Sequence, residues 1–208
     1  MEDHLNLPIE SYDSLIDFLH KIILNLSSLT GLSFENMSRE AGWYFLELGR
    51  RMERALGLIF ILQGLFRWES LQDKSSFENL LSINDVRITY NRRYRGRIDK
   101  ESVLDILLFD NSNPRSLAYQ LERINECLKF LPGKEEKTTY AEDRAALQLY
   151  TTFKMKDIPI LFSEPEPNVV IAAWLDELHS LLRALSETIS LRYFNYAEEQ
   201  TRIGDVNG

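Results

Sequence analysis

Arg39, Glu40, Glu47, Arg50, Arg51, Glu53 and Arg54 put seven charged side chains into sixteen positions that otherwise read as a core helix, with Trp43, Tyr44, Phe45, Leu46, Leu48 and Met52 among them. A helix buried on one side keeps its charges on the other. Glu53 falls one heptad after Leu46 and one before Phe60, at the apolar stripe. A carboxylate there needs an arginine and further hydrogen bonds, because burying an unpaired charge costs more than it returns. The spacing therefore predicts that Glu53 is buried and salt-bridged to an arginine of another helix. Glu122-Arg123 repeats Glu53-Arg54 in a second apolar helix. That repetition is either a shared polar layer or the chance pairing of two common helix formers. Glu47, Glu53, Glu122 and Arg123 are the expected members of such a Glu/Arg network.

Arg87, Arg92, Arg93, Arg95 and Arg97 crowd eleven positions, with Tyr90 and Tyr94 between them. Guanidinium forks suit phosphate or carboxylate in bidentate geometry. One reading is an anion site for a nucleotide or an acidic peptide. The other is internal pairing with Glu40, Glu47, Glu53 or Glu122. Arg50, Arg54, Arg92, Arg93, Arg95 and Arg115 are the anion-binding candidates. Asp17/His20 and Asp176/His179 have the i, i+3 spacing that metal-binding bundles use with glutamate. Aspartate stands in that place here, and both histidines border their stripes, so ordinary polar face residues are expected and no metal. Cys127 has no sequence-adjacent histidine and reads as a small packed side chain. There is no phosphate loop, no metal-spaced Cys/His set and no Ser-His-Asp signature. Glu53 and Tyr94 are the best candidates for a base or nucleophile, and no cofactor is implied.

The elements that must position these residues are helices. Leu15, Phe18, Leu19, Ile22, Ile23, Leu26 and Leu29 repeat at helix spacing, with Gly31 as the expected left-handed cap. Ser38 is the expected cap of a long helix over about 38–68, its stripe being Phe45, Leu48, Met52, Leu56, Ile59 and Leu62. Residues 76–96 read as one or two shorter helices, and Asp99 as the cap of another. Asn113-Pro114 reads as a cap followed by proline at the first helical position, opening a helix with Leu117, Leu121, Ile124, Leu128 and Leu131 inward. A helix over 140–155 and a second long one over about 168–195 follow, the latter with Trp174, Leu178, Leu181, Leu185 and Ile189 inward. Residues 133–139 and 157–167 read as loops. No alternating strand pattern competes. The prediction is an all-α antiparallel helical bundle forming one domain over 1–208.

The chain has 208 residues and a net charge of -8, which argues against general binding to nucleic acid or to an anionic membrane. A single cysteine fits a reducing compartment. No run reaches the ~18 consecutive apolar residues of a membrane span, and Met1-Glu2-Asp3-His4 lacks a basic leader. The cytoplasm is the expected location.

Three blocks carry a family resemblance: Trp43 to Ala55, Tyr90 to Gly96, and Val103 to Asp110 continuing through Asn113-Pro114-Arg115-Ser116-Leu117 to Leu121-Glu122-Arg123. In order and spacing they resemble the alpha-E family, helical bacterial proteins named for a Glu-Arg motif. The resemblance covers about 38–131 well and the last helix loosely, to Tyr193-Phe194. It implies association with circularly permuted ATP-grasp ligases and transglutaminase-like peptidases, hence with making and cleaving amide bonds. Family members are usually longer and look duplicated, with an earlier block of the same type. This chain lacks that block and is either a shorter member or part of a longer one. The leading expectation is a non-catalytic helical partner of an ATP-grasp amide ligase with an arginine-lined anion or acidic-peptide pocket. The alternatives are an enzyme acting on the ligase product and a purely structural oligomerisation module. The face left by a missing half is expected to be covered, either by a second copy in a homodimer or by a different partner such as the ligase.

Overall fold

Ser11 starts the first helix with a reciprocal cap: the Ser14 amide donates to Ser11 Oγ at 3.2 Å and the Ser11 amide donates to Ser14 Oγ at 3.1 Å. The computed structural model describes residues 11–68, 73–135 and 138–195, and every element among them is helical. The chain divides into two units, Met1–Trp43 and Tyr44–Gly208, where the sequence predicts one domain.

In the first unit, α1 (Tyr12–Asn36) runs straight through Gly31, the residue expected to end it. One glycine inside a helix costs only about 1 kcal/mol, and the apolar pattern continues past it with Leu32 and Phe34. The stop comes at Met37, whose backbone is extended. Arg39 closes that end by donating to the carbonyls of Phe34 (2.9 Å) and Met37 (3.3 Å). Its guanidinium also lies 4.6 Å from the Phe34 ring centroid and 4.3 Å from that of Trp43. No residue of α1 is buried, and Leu19, Ile23, Leu26, Leu29 and Phe34 are all exposed. By length and composition α1 is apolar enough to cross a membrane. The count of consecutive apolar residues misses this because Asp17, His20 and Lys21 interrupt the run.

α2 (Ala41–Arg67) starts three residues after the expected cap Ser38. Its buried stripe is Leu48, Met52, Ala55, Ile59, Leu62 and Phe66, alternating steps of four and three as one helix face requires. Leu46 and Phe60 are exposed. The heptad that placed Glu53 inside is therefore an outer stripe, and Glu53 faces solvent. α3 (Lys74–Ile83) is capped by Asp73, and α4 (Arg87–Tyr94) follows a turn in which Asp85 has φ of 55°. α5 (Lys100–Leu104) is capped by Asp99 as expected and runs on as a π-helical turn, Asp105–Phe109. Val103, Leu104, Ile106, Leu107 and Leu108 are all buried there.

Asn113-Pro114 does not open the next helix. The cap of α6 (Leu117–Leu128) is Ser116, whose Oγ accepts from the Tyr119 amide at 3.1 Å. Asn113 instead fixes the preceding turn, donating to the Ile106 carbonyl at 2.9 Å and accepting from the Arg115 amide at 3.0 Å. An asparagine that can close an Asx turn competes with its own use as a helix cap. The five predicted apolar positions from Leu117 to Leu131 are all buried. α7 spans Ala141–Lys154. The predicted loop 157–167 contains a short helix, α8 (Ile158–Ser163), because Asp157 caps it and proline is tolerated in a first turn. α9 (Pro167–Tyr193) buries Ile171, Trp174, Leu175, Leu178, Leu182, Leu185 and Ile189.

Side-chain pairs at both ends fix the directions. Phe45 meets Tyr193 at 5.1 Å between centroids, and Gln63 donates to Asp176 at 2.6 Å, so α2 and α9 are antiparallel. Trp174 donates to the Thr152 carbonyl and Tyr193 to Glu142, so α7 and α9 are antiparallel too. Phe109, Phe153 and Trp174 stack between these helices. The predicted all-α antiparallel bundle is the fold of the second unit.

Candidate functional site: an arginine seam between α2 and α6

Glu47 is 4% exposed, next to the buried stripe of α2. Helix geometry brings Arg50 and Arg51, three and four residues on, to the same side. Arg50 donates to one carboxylate oxygen at 2.9 Å, and Arg51 Nε donates to the other at 2.7 Å. Arg51 also reaches Gln120 of α6 at 3.4 Å and lies 5.4 Å from the Tyr119 ring centroid. Gln120 in turn donates to the Pro114 carbonyl. Cys127, buried at the same layer, is pushed up to about 11 by burial and by the Glu47 charge. The thiol is therefore unreactive packing, as its sequence context predicts. This end of the seam is closed.

The other end is open. Arg54 follows Arg51 by one turn and has no hydrogen bond or ion pair among the described residues. Its pKa is lowered, first by burial and then by Arg51, Arg115 and Arg50, with only Glu47 acting the other way. Arg115 comes from the loop before α6 and pairs loosely with Asp85 at 3.5 Å, both side chains largely exposed. Four guanidiniums thus meet two carboxylates. Arg54 is exposed, and a surface with more guanidiniums than carboxylates attracts anions.

The predicted site residues divide. Arg50 and Arg54 stand one turn apart on α2, and the charge of Arg115 acts on Arg54. Arg93 does not join them: it pairs at 2.6 Å with Asp110, a buried carboxylate that also accepts from the Ser112 amide and hydroxyl. Arg92 and Arg95 are exposed at the end of α4, and Arg95 has φ of 53°. None of the arginines at 87–97 pairs with Glu40, Glu47, Glu53 or Glu122. Glu53 and Glu122 are exposed and have no salt bridge among the described residues, which corrects their expected burial. Arg123 pairs within its own helix, with Glu126, and its Nε is buried without a partner. Tyr94 donates to Asp105, and burial together with that bond raises its pKa further from nucleophilic use. Asp17 and His20 are exposed on α1, while Asp176 serves Gln63.

Sequence reasoning missed Arg51, although its i, i+4 spacing from Glu47 is a legible signal. It also missed a second buried carboxylate, Glu142. That side chain is fully buried and its Oε1 accepts from Arg192 at 2.9 Å and Tyr193 at 3.0 Å, with Lys134 at 3.6 Å. Arg192 lies 3.7 Å from the Tyr140 ring centroid and donates to the Gly133 carbonyl at 3.0 Å. Lys134 also pairs with Asp143. These partners lie on three separate stretches of chain, which no local spacing reveals.

Residues 2–194 match the family model Alpha-E, described as a predicted alpha-helical domain with a conserved ER motif. An uncharacterised protein of Mycobacterium bovis and one of Mycobacterium tuberculosis are each 34% identical over 113 residues, which is 53% of this chain and 13% of theirs. The chain thus matches only a small part of the length of these curated relatives. No solved structure matches it.

Proposed function

The chain belongs to the Alpha-E family, and from that premise we propose that it is a non-catalytic helical accessory domain of an amide-ligase system of the ATP-grasp kind. In that reading it works in the cytoplasm beside the ligase, or beside a transglutaminase-like peptidase that cleaves the product. Its arginine seam holds the anionic part of what the system handles, whether a phosphate or an acidic peptide. The observation that carries this is the charge count along α2: Glu47 already pairs with Arg50 and Arg51, and Arg54, exposed and with no ion pair among the described residues, follows on the same side of the helix. A network that only fixed helix register would be fully paired, as the Glu47 end is. Arg54 is also the arginine of a Glu-Arg dipeptide, the feature that gives the family its description. The exposed ridge of α2, with Leu46 and Phe60 standing beside Gly49 and Gly57, suits close approach by a partner helix.

The test is a reconstituted amide-forming reaction with the ATP-grasp protein of the same bacterium. Product formation rises when this chain is added and does not rise with Arg54→Ala. Equal product with and without the chain would sink the accessory role.

A further inference from the structure

We propose that the groove between α2 and α3, together with the outer face of α4, docks an acidic segment of a partner protein. Apolar side chains of that segment enter the groove, and its carboxylates meet the arginines of α4. This goes beyond the ligand reading of the seam and does not depend on it. The groove measures about 330 Å³, and Ile61, Gly64 and Leu65 of α2 and Leu80 and Ile83 of α3 line it. No charged side chain lines it among the described residues. A methyl group at Gly64 would meet no atom within 4 Å, so the glycine leaves room that a side chain could fill. Ile83, the last residue of α3, is 69% exposed, and Ile88, in the first turn of α4, is 86% exposed. The turn between them is closed by the Asp85 amide on the Ser82 carbonyl and the Val86 amide on the Leu81 carbonyl, both at 3.0 Å. At no more than ~3.6 Å per residue, Ile83 and Ile88 lie within about 18 Å of each other. Two large apolar side chains left in water beside an apolar groove carry it on toward α4, as an interaction surface does.

The charge on α4 says what covers this surface. Residues 87–97 hold five arginines and no aspartate or glutamate, in a chain of net charge -8. Asp110 neutralises Arg93. Arg87, Arg92, Arg95 and Arg97 are exposed and have no ion pair among the described residues. The acids that flank the run are occupied: Asp85 pairs with Arg115, and Asp99 accepts from the Ser102 amide and hydroxyl. The tyrosines hold α4 in place from its inner side. Tyr90 is buried and stacks on Tyr94 at 4.8 Å between centroids, and Tyr94 donates to Asp105. The Tyr90 hydroxyl donates to the Arg97 carbonyl at 2.7 Å, which ties down the backbone that carries Arg95 and Arg97. Ile88 and Arg92, one helical turn apart, share the outer face.

Four unpaired guanidiniums call for several anionic groups spread along one chain. A nucleic acid offers such groups but no aliphatic side chains for an uncharged groove, and the overall charge of -8 repels it. An acidic peptide with apolar side chains satisfies both parts of the surface. Groove end to the last turn of α4 is about 30 Å at most, the 18 Å above plus ~12 Å of helix. About nine residues of extended peptide span that distance at ~3.3 Å each.

Fluorescence anisotropy of the whole chain with a labelled peptide that repeats Leu-Glu-Glu three times tests this. The peptide binds, and Arg92→Glu weakens it by about tenfold or more, since it reverses a charge at the contact. Gly64→Leu fills the groove and weakens binding by a similar factor. It melts no lower than the parent chain, because leucine is the better helix former and the site has room for it. Glu53→Gln, away from this surface on the outer stripe of α2, binds as the parent does. A peptide repeating Ser-Glu-Glu, with the same charge and no apolar side chain, binds about tenfold more weakly or worse. Failure of the Leu-Glu-Glu peptide to bind overturns the proposal. So does equal binding of the serine peptide, or of the leucine peptide to Gly64→Leu, since the groove then takes no part. If an oligonucleotide of about fifteen thymidines binds more tightly than the peptide, the partner is a nucleic acid and the proposal falls. If the parent chain sediments as a dimer and Gly64→Leu as a monomer, a second copy fills the groove, and the proposal falls again. None of these outcomes bears on Arg54, so the seam stands or fails by its own test.

Discussion

The Glu142 corner and the α2–α6 seam are built from the same parts and differ in how their charges balance. Each has a buried carboxylate held by two cations, with aromatic rings beside the guanidiniums. At the corner, Lys134 and Arg192 face Glu142 and Asp143, so charge balances. The corner ties together the loop after Leu131, the start of α7 and the end of α9. In the seam, Glu47 is satisfied within its own helix, and one further turn of α2 adds Arg54, which has no ion pair among the described residues. The corner is balanced in charge, and the seam, where we propose that an anion is held, is not. The difference lies in charge count and connectivity rather than in burial, since both carboxylates are buried.

The harshest way to break this comparison is Glu142→Ala. It strands Arg192 and Lys134 at the meeting of three segments, and a loss of about 3–5 kcal/mol is expected in urea denaturation. A loss below about 1 kcal/mol would mean that the corner holds nothing together. Glu47→Ala comes next, at about 2–4 kcal/mol, reduced because Arg50 and Arg51 keep some solvent contact. It leaves four guanidiniums together, so millimolar phosphate should restore part of the lost stability. The same addition should do nothing for Glu142→Ala.

Alkaline pH separates the two regions with a smaller effect. Tyr193 at the corner is raised to about 12 by burial and by its bond to Glu142, and Cys127 at the seam to about 11 by burial and the Glu47 charge. Both groups are held in the protonated form by folding. Their contributions are complete below the ordinary values and are lost as pH rises through the folded ones. Stability should therefore decline from about pH 9 to about 12. Tyr193→Phe should flatten the upper part of that decline and Cys127→Ala the lower part. An unchanged profile in Tyr193→Phe would mean its hydroxyl is not protected in the fold.

The smallest effects belong to the Glu-Arg dipeptide itself. Glu53→Ala should change stability by no more than about 0.5 kcal/mol, as for an exposed, unpaired side chain. Arg54→Ala should cost no stability and should raise the melting temperature slightly, because it removes like-charge crowding. A clear loss in Arg54→Ala would expose a structural partner and move the open end of the seam into the same class as the corner.

Much of this was legible in the sequence. The clean heptad from Leu117 to Leu131, the cap at Asp99, the helix over 140–155 and four of the five expected inward positions of α9 (Leu181 is only half-buried) are local patterns. Periodicity and capping set them whatever surrounds them. That Glu and Arg would form an ordered polar network near Trp43–Arg54 was readable for the same reason: charges among core residues must find partners. Which glutamate goes inside was not. Leu46 and Phe60 are as apolar as Leu48 and Met52, and α2 offers two stripes, Leu46–Glu53–Phe60 and Leu48–Met52–Ala55–Ile59. Only the positions of α6 and α9 decide which of them is covered. Choosing the second buries Glu47 and turns Glu53 to water. In the same way, Arg51 reaches Gln120 only because α6 packs beside α2, and Glu142 finds Arg192 only because α7 and α9 run antiparallel. The sequence by itself determined the helices, their apolar faces and the need for a Glu/Arg network. Tertiary packing chose among equally apolar stripes and distant partners, since burial depends on what covers a side chain and not on the side chain alone.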